Sequence, residues 1–376
     1  MITAVALFAF ALGWALLAVM SIRFTDQPQR WALIPAGVLA VVGGGLLVWS
    51  DAVSNESVSW MWPFALLGLV LWMTVKARAH LRSRARTWLL FPLFGALALA
   101  ALAGLWESIL ESRDRDAITM NGRMVDVGGR RLYLRVSGSG SPTVVLLPGA
   151  GGTASTWGWI EPEVARNTRV CVFDRAGRGL SESAAGPQDG RELAADLHSL
   201  LNRGHVPGPY VLVGHSFGGL LALTYAAEYP GDVAGVVLLD STHPEMFTRL
   251  PTYPAFYDTY RRVSALFPSL ARLGVGRVAY HSDFDSLPPR ARDAELAFWS
   301  TARHARSARD EWAAAPELMR QARSLETLGA RPLIVVTAAR GAQDGWMPLQ
   351  EELARLSSNS AHRVLPTTSH MSLVQS

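Results

Sequence analysis

The sequence is poor in the residues that build disulfide frameworks and metal sites. It contains one cysteine among 376 residues, which excludes an internal disulfide. Cys171 lies in a predicted strand, where a free thiol usually packs as a small buried hydrophobe. No cysteine–histidine cluster has the spacing of a zinc site, and no Walker or dinucleotide glycine pattern follows a first strand. The sequence therefore predicts no cofactor and no metal.

The sequence also lacks a large excess of either positive or negative charge. The 35 lysines and arginines nearly balance the 31 aspartates and glutamates, which leaves a formal net charge of +4. A protein that binds nucleic acid concentrates basic residues on a surface that contacts phosphates. Nothing after residue 117 resembles such a surface, so we do not expect nucleic acid as a partner.

The first 106 residues contain four long stretches without a charged residue, at about 2–22, 31–49, 58–75 and 88–106. A helix of about 20 residues crosses the roughly 30 Å hydrocarbon core of a bilayer. The first stretch lacks the basic start and small-residue cleavage site of a signal peptide. We therefore predict an all-α transmembrane region of four helices, followed by a linker of alternating charge at 107–121.

The loops between these stretches predict an orientation. Residues 23–30 contain two arginines and residues 76–86 contain five basic residues, whereas residues 50–59 contain none. Lysine and arginine mark the cytoplasmic side of a membrane protein. We therefore expect a protein of the cytoplasmic (plasma) membrane, with the lipid bilayer as a partner and everything after residue 106 outside the cytoplasm.

From residue 122 onward, short β-branched runs alternate with helical segments. The predicted strands are 122–127, 131–136, 143–147, 169–173, 210–213, 235–239, 332–337 and 362–366, and the predicted helices are 157–166, 190–203, 217–229 and 346–356. This alternation is typical of an α/β fold, with a mainly parallel sheet between two layers of helices. Residues 241–331 form a long insertion of helical character, which we predict to be a cap over the carboxyl edge of the sheet.

The pentapeptide Gly-His-Ser-Phe-Gly at 214–218 is the main catalytic candidate. It follows an apolar strand and precedes a helix, which is the context of a nucleophile elbow. Glycines at both ends allow a turn too sharp for side chains. The sequence therefore predicts Ser216 as a nucleophile with its Oγ above the end of the strand.

A serine nucleophile also needs a base and donors for the oxyanion. In the elbow geometry the donors are the N–H group after the nucleophile, on Phe217, and one from the earlier glycine-rich loop 148–152, for which we favour Ala150. The base comes last in the chain order. His370 follows the last predicted strand and a polar turn, so we predict it to be the base.

Four motifs in this order resemble the α/β-hydrolase superfamily over about residues 122–376. They are Leu146–Gly152, Phe173–Ser181, Gly214–Gly219 and Thr368–His370. The second is similar to the D-x-x-G-x-G-x-S loop after that family's fourth strand, and we interpret it as structural. Two features depart from the family: Pro148 stands where many relatives have histidine, and the chain stops six residues after His370, so the family's closing helix is expected to be missing.

Two aspartates compete for the role of the acid. Asp240 ends the strand 235–239, and Leu239–Pro244 is similar to a subset of the family in which the acid has moved to this earlier strand. Asp344 is the alternative, because Asp344–Pro348 resembles the D-x-x-x-P pattern at the family's commonest acid position. The loop before Asp344 is longer than is usual. The sequence favours Asp240 only slightly.

These residues and the resemblance predict a membrane-anchored serine hydrolase that cleaves an ester, amide or thioester through an acyl-enzyme on Ser216. The expected substrate is a small-molecule or lipid-like acyl compound, and the oligomeric state is left open. Serine at the elbow disfavours epoxide hydrolysis and dehalogenation. An acyltransferase with the same triad and a non-catalytic membrane binding protein with a hydrolase-like fold are the alternatives.

Aromatic residues of the insertion are expected to form the cap's own core or the wall of an apolar site, and we favour the core for Tyr253, Phe256, Tyr257, Phe298 and Trp299.

Overall fold

The computed structural model describes residues 2–48, 56–81, 84–118 and 121–376, which fall into two units. The first unit consists of Met1–Ala117 and Ser269–Val275, and the second consists of Ile118–Pro268 and Gly276–Ser376. Parts of the predicted loops at 50–59 and 76–86 and of the predicted linker lie outside the described residues.

The first unit is built on four long apolar helices: α1 (Ile2–Phe24), α2 (Leu33–Val48), α3 (Glu56–His80) and α4 (Arg84–Ala117). Each contains or adjoins a stretch that is long and apolar enough to cross a membrane, at Thr3–Phe24, Arg30–Val48, Trp60–His80 and Leu90–Ala117. The fourth helix continues into the segment predicted as a linker, where an i,i+4 pair between Arg115 and Glu111 supports the helical extension.

Aromatic side chains pack these helices against one another. The rings of Trp14 and Trp31 lie 5.9 Å apart, and Trp14 also stacks on Phe94 at 6.1 Å. The indole N–H of Trp31 donates to Gln29 Oε1 at 2.7 Å, so its one polar group is paired in a buried position. Large apolar side chains remain exposed on all four helices; examples are Phe10, Val41, Leu71 and Leu99.

The second unit is organised around one eight-stranded sheet. Its strands are β1 (Arg123–Asp126), β2 (Arg131–Ser137), β3 (Thr143–Leu147), β4 (Val170–Phe173), β5 (Tyr210–His215), β6 (Val233–Leu239), β7 (Leu333–Ala338) and β8 (Ser360–Leu365). The spatial order is β1-β2-β4-β3-β5-β6-β7-β8. Strand β2 pairs antiparallel with β1 and β4, and the remaining pairs are parallel. The predicted mainly parallel sheet is therefore present.

Helices connect these strands. They are α5 (Ile160–Ala165), α6 (Gly190–Arg203), α7 (Phe217–Glu228) and α14 (Trp346–Ala354), with a 3-10 turn at Ala154–Trp157 before α5. Helix α6 begins with a capping box, in which Asp189 and Glu192 bind each other's backbone N–H groups. Helix α7 is buried over almost its whole length. Because the central strands are covered on both faces, they consist mainly of valine and leucine.

The insertion between β6 and β7 is helical, as expected for a cap. Its helices are α8 (Met246–Arg249), α9 (Tyr253–Ser264), α10 (Phe267–Ala271), α11 (Val275–Ala279), α12 (Pro289–Ser300) and α13 (Ala302–Ala322). A break at Thr301 separates α12 from α13, and the Thr301 side chain accepts from His304 N at 3.1 Å. The chain then ends in a one-turn helix, α15 (Ser372–Gln375), whose Val374 is buried in the same cluster as Leu146 and Trp157.

Candidate active site

Ser216 lies in the sharp turn between β5 and α7. Its backbone has φ of 53° and ψ of −122°, a conformation that costs free energy for a residue with a Cβ atom. The turn brings backbones too close for side chains, because a Cβ on Gly214 would lie 2.6 Å from the Gly218 oxygen, and a Cβ on Gly218 would lie 2.1 Å from the Leu147 oxygen. The two glycines of the pentapeptide therefore allow the close approach that presents Ser216.

The imidazole of His370 is bound to a carboxylate at the end of β6. His370 Nδ1 lies 2.6 Å from Asp240 Oδ2. Asp240 is buried, and its backbone also has a positive φ, of 43°. Because a carboxylate accepts hydrogen bonds, this contact assigns the proton to Nδ1 and leaves Nε2 free to accept another.

Asp344 occupies a different position. It is exposed in the loop after β7, and among the described residues no hydrogen bond joins it to His370. The structure brings His370 together with Asp240 and not with Asp344.

Trp346 is a residue of this site that the sequence analysis did not identify. Its indole N–H donates to Asp240 Oδ1 at 2.8 Å, and the backbone N–H of Ala338 donates to the same oxygen at 3.2 Å. The segment that resembled an acid motif through Asp344 thus contributes a donor to the other aspartate. No local pattern around Trp346 signals this contact, because its partner lies 106 residues earlier in the chain.

His215 supports the loop that contains His370. Its Nε2 lies 3.0 Å from the carbonyl oxygen of His370, so the ring donates from this nitrogen. Burial, together with the nearby His370, lowers the pKa of His215 to about 3, and the imidazole is therefore neutral at physiological pH. A neutral His215 ties the elbow to the His370 loop without adding a charge.

A cavity of about 450 Å³ contains Ser216 and His370. Phe284, Leu287 and Trp299, all from the cap, form much of its apolar wall. Of the other cap aromatics discussed above, Tyr253, Tyr257 and Phe298 are buried and Phe256 is exposed. The prediction that these aromatics form the cap's core is therefore wrong for Trp299, which lines the cavity, and for Phe256, which is exposed.

The candidate oxyanion donors lie on two segments beside Ser216. Ala150 lines the cavity, and Phe217 is the first residue of α7, where the backbone N–H has no acceptor within its own helix. The loop that contains Ala150 is tightly placed: Gly149 lies so close to Ser216 that an added Cβ would be 3.2 Å from the serine Cβ. Gly151 adopts φ of 76° and faces the Trp299 ring. Ala150 and Phe217 are therefore candidate donors on the two segments that flank Ser216.

The loop after β4 is held in place by hydrogen bonds of Asp174. Asp174 accepts hydrogen bonds from Ala154 N at 2.7 Å and Leu180 N at 2.9 Å, while the Ser181 hydroxyl donates to the Asp174 carbonyl at 2.6 Å. Burial raises the pKa of Asp174. These contacts are structural, as the sequence indicated for this motif.

The Cys171 thiol is buried in β4, and burial raises its pKa, which disfavours the nucleophilic thiolate. Among the described residues, no group of three or more histidine, cysteine, aspartate or glutamate side chains could hold a metal ion.

A family model described as the alpha/beta hydrolase fold matches residues 142–376. The chain is 37% identical over 122 residues to the 2-hydroxy-6-oxo-2,4-heptadienoate hydrolase of Pseudomonas putida, an alignment that covers 31% of this chain and 44% of that enzyme. In four other curated relatives the matched stretch spans 24% to 41% of the relative's length.

Solved structures share the architecture of the second unit. The Cif epoxide hydrolase from Acinetobacter nosocomialis superimposes with a TM-score of 0.59 at 16% identity, covering 72% of this chain and 92% of that one. A thermophilic esterase from Thermogutta terrifontis gives a TM-score of 0.51 at 21% identity, covering 68% and 93%. The likeness to these two structures concerns the fold.

Proposed function

The chain belongs to the α/β-hydrolase family, and on that premise we propose that it is a serine hydrolase, anchored in a membrane by its four N-terminal helices, that cleaves an ester, amide or thioester. The observation that carries this proposal is the 2.6 Å contact between His370 Nδ1 and the buried Asp240 Oδ2. His370 also lines a cavity together with the strained Ser216. The residues proposed as nucleophile and base therefore line one concave site, and the residue proposed as acid is bound to the base.

In the proposed reaction, His370 Nε2 takes the proton from Ser216 Oγ as the oxygen attacks the substrate's carbonyl carbon. Asp240 holds the imidazole in the required tautomer and stabilises the imidazolium that forms. The N–H groups of Ala150 and Phe217 bind the oxyanion. His370 then returns the proton to the leaving alcohol, amine or thiol, and a water molecule releases the acyl group by the same steps.

The residue at the elbow supports acyl chemistry. Two solved structures that share this fold are epoxide hydrolases. Epoxide hydrolysis in this family uses an aspartate nucleophile and an alkyl-ester intermediate. Ser216 instead forms an acyl-enzyme when it attacks a carbonyl carbon. The cavity, at about 450 Å³ with a wall of Phe284, Leu287 and Trp299, supports an apolar acyl or alcohol group of small to moderate size.

Activity-based labelling tests the proposal. The purified full chain in detergent or nanodiscs should react with a fluorophosphonate at one serine, and a panel of p-nitrophenyl esters of increasing chain length should show a preferred length. Adding an acceptor alcohol and measuring transfer against hydrolysis distinguishes an acyltransferase. A folded protein that neither labels nor turns over any ester would favour the non-catalytic binding protein.

We expect the hydrolase unit to lie outside the cytoplasm. Since seven basic residues flank the apolar helices at 23–30 and 76–86, the positive-inside rule assigns those segments to the cytoplasm. A reporter that is active only outside the cytoplasm should be active when fused after Ser376, whereas the same reporter fused after Leu81 should be inactive. The opposite pair of results would reverse the orientation.

Trp346 should act as a positioning residue for Asp240. Trp346→Phe removes the indole donor to Asp240 Oδ1 and keeps most of the buried ring volume. A hydrogen bond to a charged group contributes about 1.5–3 kcal/mol, so kcat should fall roughly ten- to hundredfold with little change in KM.

Trp159→Phe is the matched control for Trp346→Phe. It removes an indole hydrogen bond to the Ser286 carbonyl, which does not involve Asp240, and kcat should stay within about twofold of the wild-type value. Equal losses of kcat in the two variants would contradict the role of Trp346.

A further inference from the structure

A buried carboxylate of the cap is bound to the loop that contains Ala150. Glu311 lies on α13, and its Oε2 accepts from the backbone N–H of Gly151 at 2.9 Å. The same oxygen accepts from Arg178 at 2.6 Å, and Oε1 lies 2.7 Å from Arg175. All three charged side chains are almost inaccessible to solvent. Two cations and one anion therefore form a buried cluster between helix α13 and the loop that contains Ala150.

Arg175 connects this cluster to both segments that supply the oxyanion donors. Its guanidinium donates to the carbonyl oxygens of Pro148 at 2.8 Å and Gly149 at 2.7 Å. It also lies 5.7 Å from the centre of the Phe217 ring. One side chain thus contacts the loop that precedes Ala150 and the residue after the nucleophile.

These contacts determine where the Ala150 N–H points. The Gly149 carbonyl and the Ala150 N–H belong to one planar trans peptide, in which the two groups point in opposite directions. Arg175 binds the carbonyl, and Glu311 binds the N–H of the next peptide. Both peptide planes around Ala150 are therefore held by charged side chains.

The packing of the loop against the cap leaves little room for rearrangement. A Cβ on Gly151 would lie 2.5 Å from the Trp299 ring of α12, so the loop and the cap are in direct contact at this residue. Burial raises the pKa of Glu311, but Arg175 and Arg178 outweigh it and bring the pKa below its ordinary value. Glu311 is therefore ionised, and the excess positive charge of the cluster lies beside the site where a negative oxygen would form.

We propose that Glu311 is a positioning residue of the oxyanion hole and that it acts through Gly151 and Arg175. The position of the Ala150 N–H group then depends on the position of cap helix α13. The cap then has a role beyond forming the apolar wall, because its displacement would also disorder the oxyanion donors. This inference rests on the proposed function, since an oxyanion hole serves attack at a carbonyl carbon.

Glu311→Gln tests the proposal. Glutamine keeps the shape and an acceptor for Gly151 but removes the charge that pairs with the two arginines. Loss of an oxyanion donor costs about 10²–10³ in kcat, and we expect a smaller fall, about ten- to hundredfold, because the donor is misplaced rather than removed. KM should change by no more than about twofold. The affinity for a trifluoromethyl ketone, which forms an anionic adduct with Ser216, should fall in parallel with kcat/KM.

A second variant separates positioning from folding. Glu311→Gln leaves two unpaired buried cations, whereas the double variant Glu311→Gln/Arg178→Met restores the cluster's net charge. The proposal is supported if the double variant recovers the wild-type Tm while its ketone affinity and kcat stay low. Recovery of Tm, ketone affinity and kcat together would show that Glu311 only stabilises the fold, and would overturn the proposal.

Glu317→Gln is the matched control, because Glu317 lies on the same helix but is only half-buried and is paired with Arg320. It should leave the labelling rate and Tm unchanged. A wild-type chain that does not react with fluorophosphonate overturns the proposed function and this inference with it. A wild-type chain that reacts, with Glu311→Gln reacting at the same rate and binding the ketone equally, overturns the inference alone.

Discussion

Ser216→Ala is expected to abolish fluorophosphonate labelling and to lower kcat/KM for any ester substrate by about four to six orders of magnitude. The oxygen that would form the acyl-enzyme is lost, while the oxyanion donors and the binding cavity remain, so a small residual rate over water should persist. Alanine keeps the Cβ atom and therefore the strained backbone at φ of 53°, and Tm should change little. Gel fluorescence and steady-state kinetics measure the two effects.

Ser282→Ala is the control for this experiment, since Ser282 is exposed in the cap insertion. It should label and turn over like the wild-type chain. Full labelling of the Ser216→Ala variant at another serine would overturn the assignment of the nucleophile. If Ser216→Ala loses labelling because it unfolds, its Tm will also fall. In that case Ser216→Cys, which retains a nucleophile of similar size, is compared with the wild-type chain instead.

The architecture could be predicted from the sequence because each element has a local pattern. All eight strands lie within two residues of their predicted bounds, and β3 and α6 match them fully. In these segments β-branched runs, capping residues and glycine turns act over a few residues, so their information is contiguous in the chain. Where the pattern was weaker the bounds moved, because α4 extends through part of the predicted linker to Ala117.

The contacts that organise the site could not be predicted in the same way. Trp346 and Asp240 are 106 residues apart, and Glu311 and Arg178 are 133 residues apart. Trp346 occupies a variable position of the Asp344–Pro348 pattern, and Glu311 belongs to no motif discussed above. Only the packing of the loop after β7 and of the cap brings these two residues to the site. The roles of Ser216, His370, Ala150 and Phe217 remain predictions that the kinetic experiments test.

The choice between the two aspartates shows why a local motif is insufficient. Asp344 lies in a segment that resembles the family's usual acid position, and Asp240 lies in a segment similar to the less common one. The longer loop before Asp344 leaves this carboxylate exposed to solvent, whereas the end of β6 delivers Asp240 into a buried position with three donors. The geometry therefore supports Asp240 as the acid, whereas sequence similarity alone favoured the two aspartates almost equally.

Asp344→Asn is the reference against which Asp240 is tested. Because the side chain is exposed and has no contact with His370 among the described residues, the change should alter kcat by about twofold or less, as for an ordinary surface substitution. A loss of several orders of magnitude in this variant, with Asp240→Asn nearly unaffected, would transfer the role of the acid to Asp344.

Asp240→Asn should lower kcat by about 10⁴-fold, as the same change does in serine proteases. The asparagine oxygen is expected to stay with its two donors, the Trp346 indole and the Ala338 N–H, which leaves the amide NH₂ facing His370 Nδ1. An NH₂ group there requires Nδ1 to accept, so the ring proton moves to Nε2 and the imidazole can no longer take a proton from Ser216. Because asparagine preserves shape and the other two hydrogen bonds, Tm should stay near the wild-type value while the rate collapses. A variant that loses less than tenfold in kcat would show that Asp240 does not orient the base.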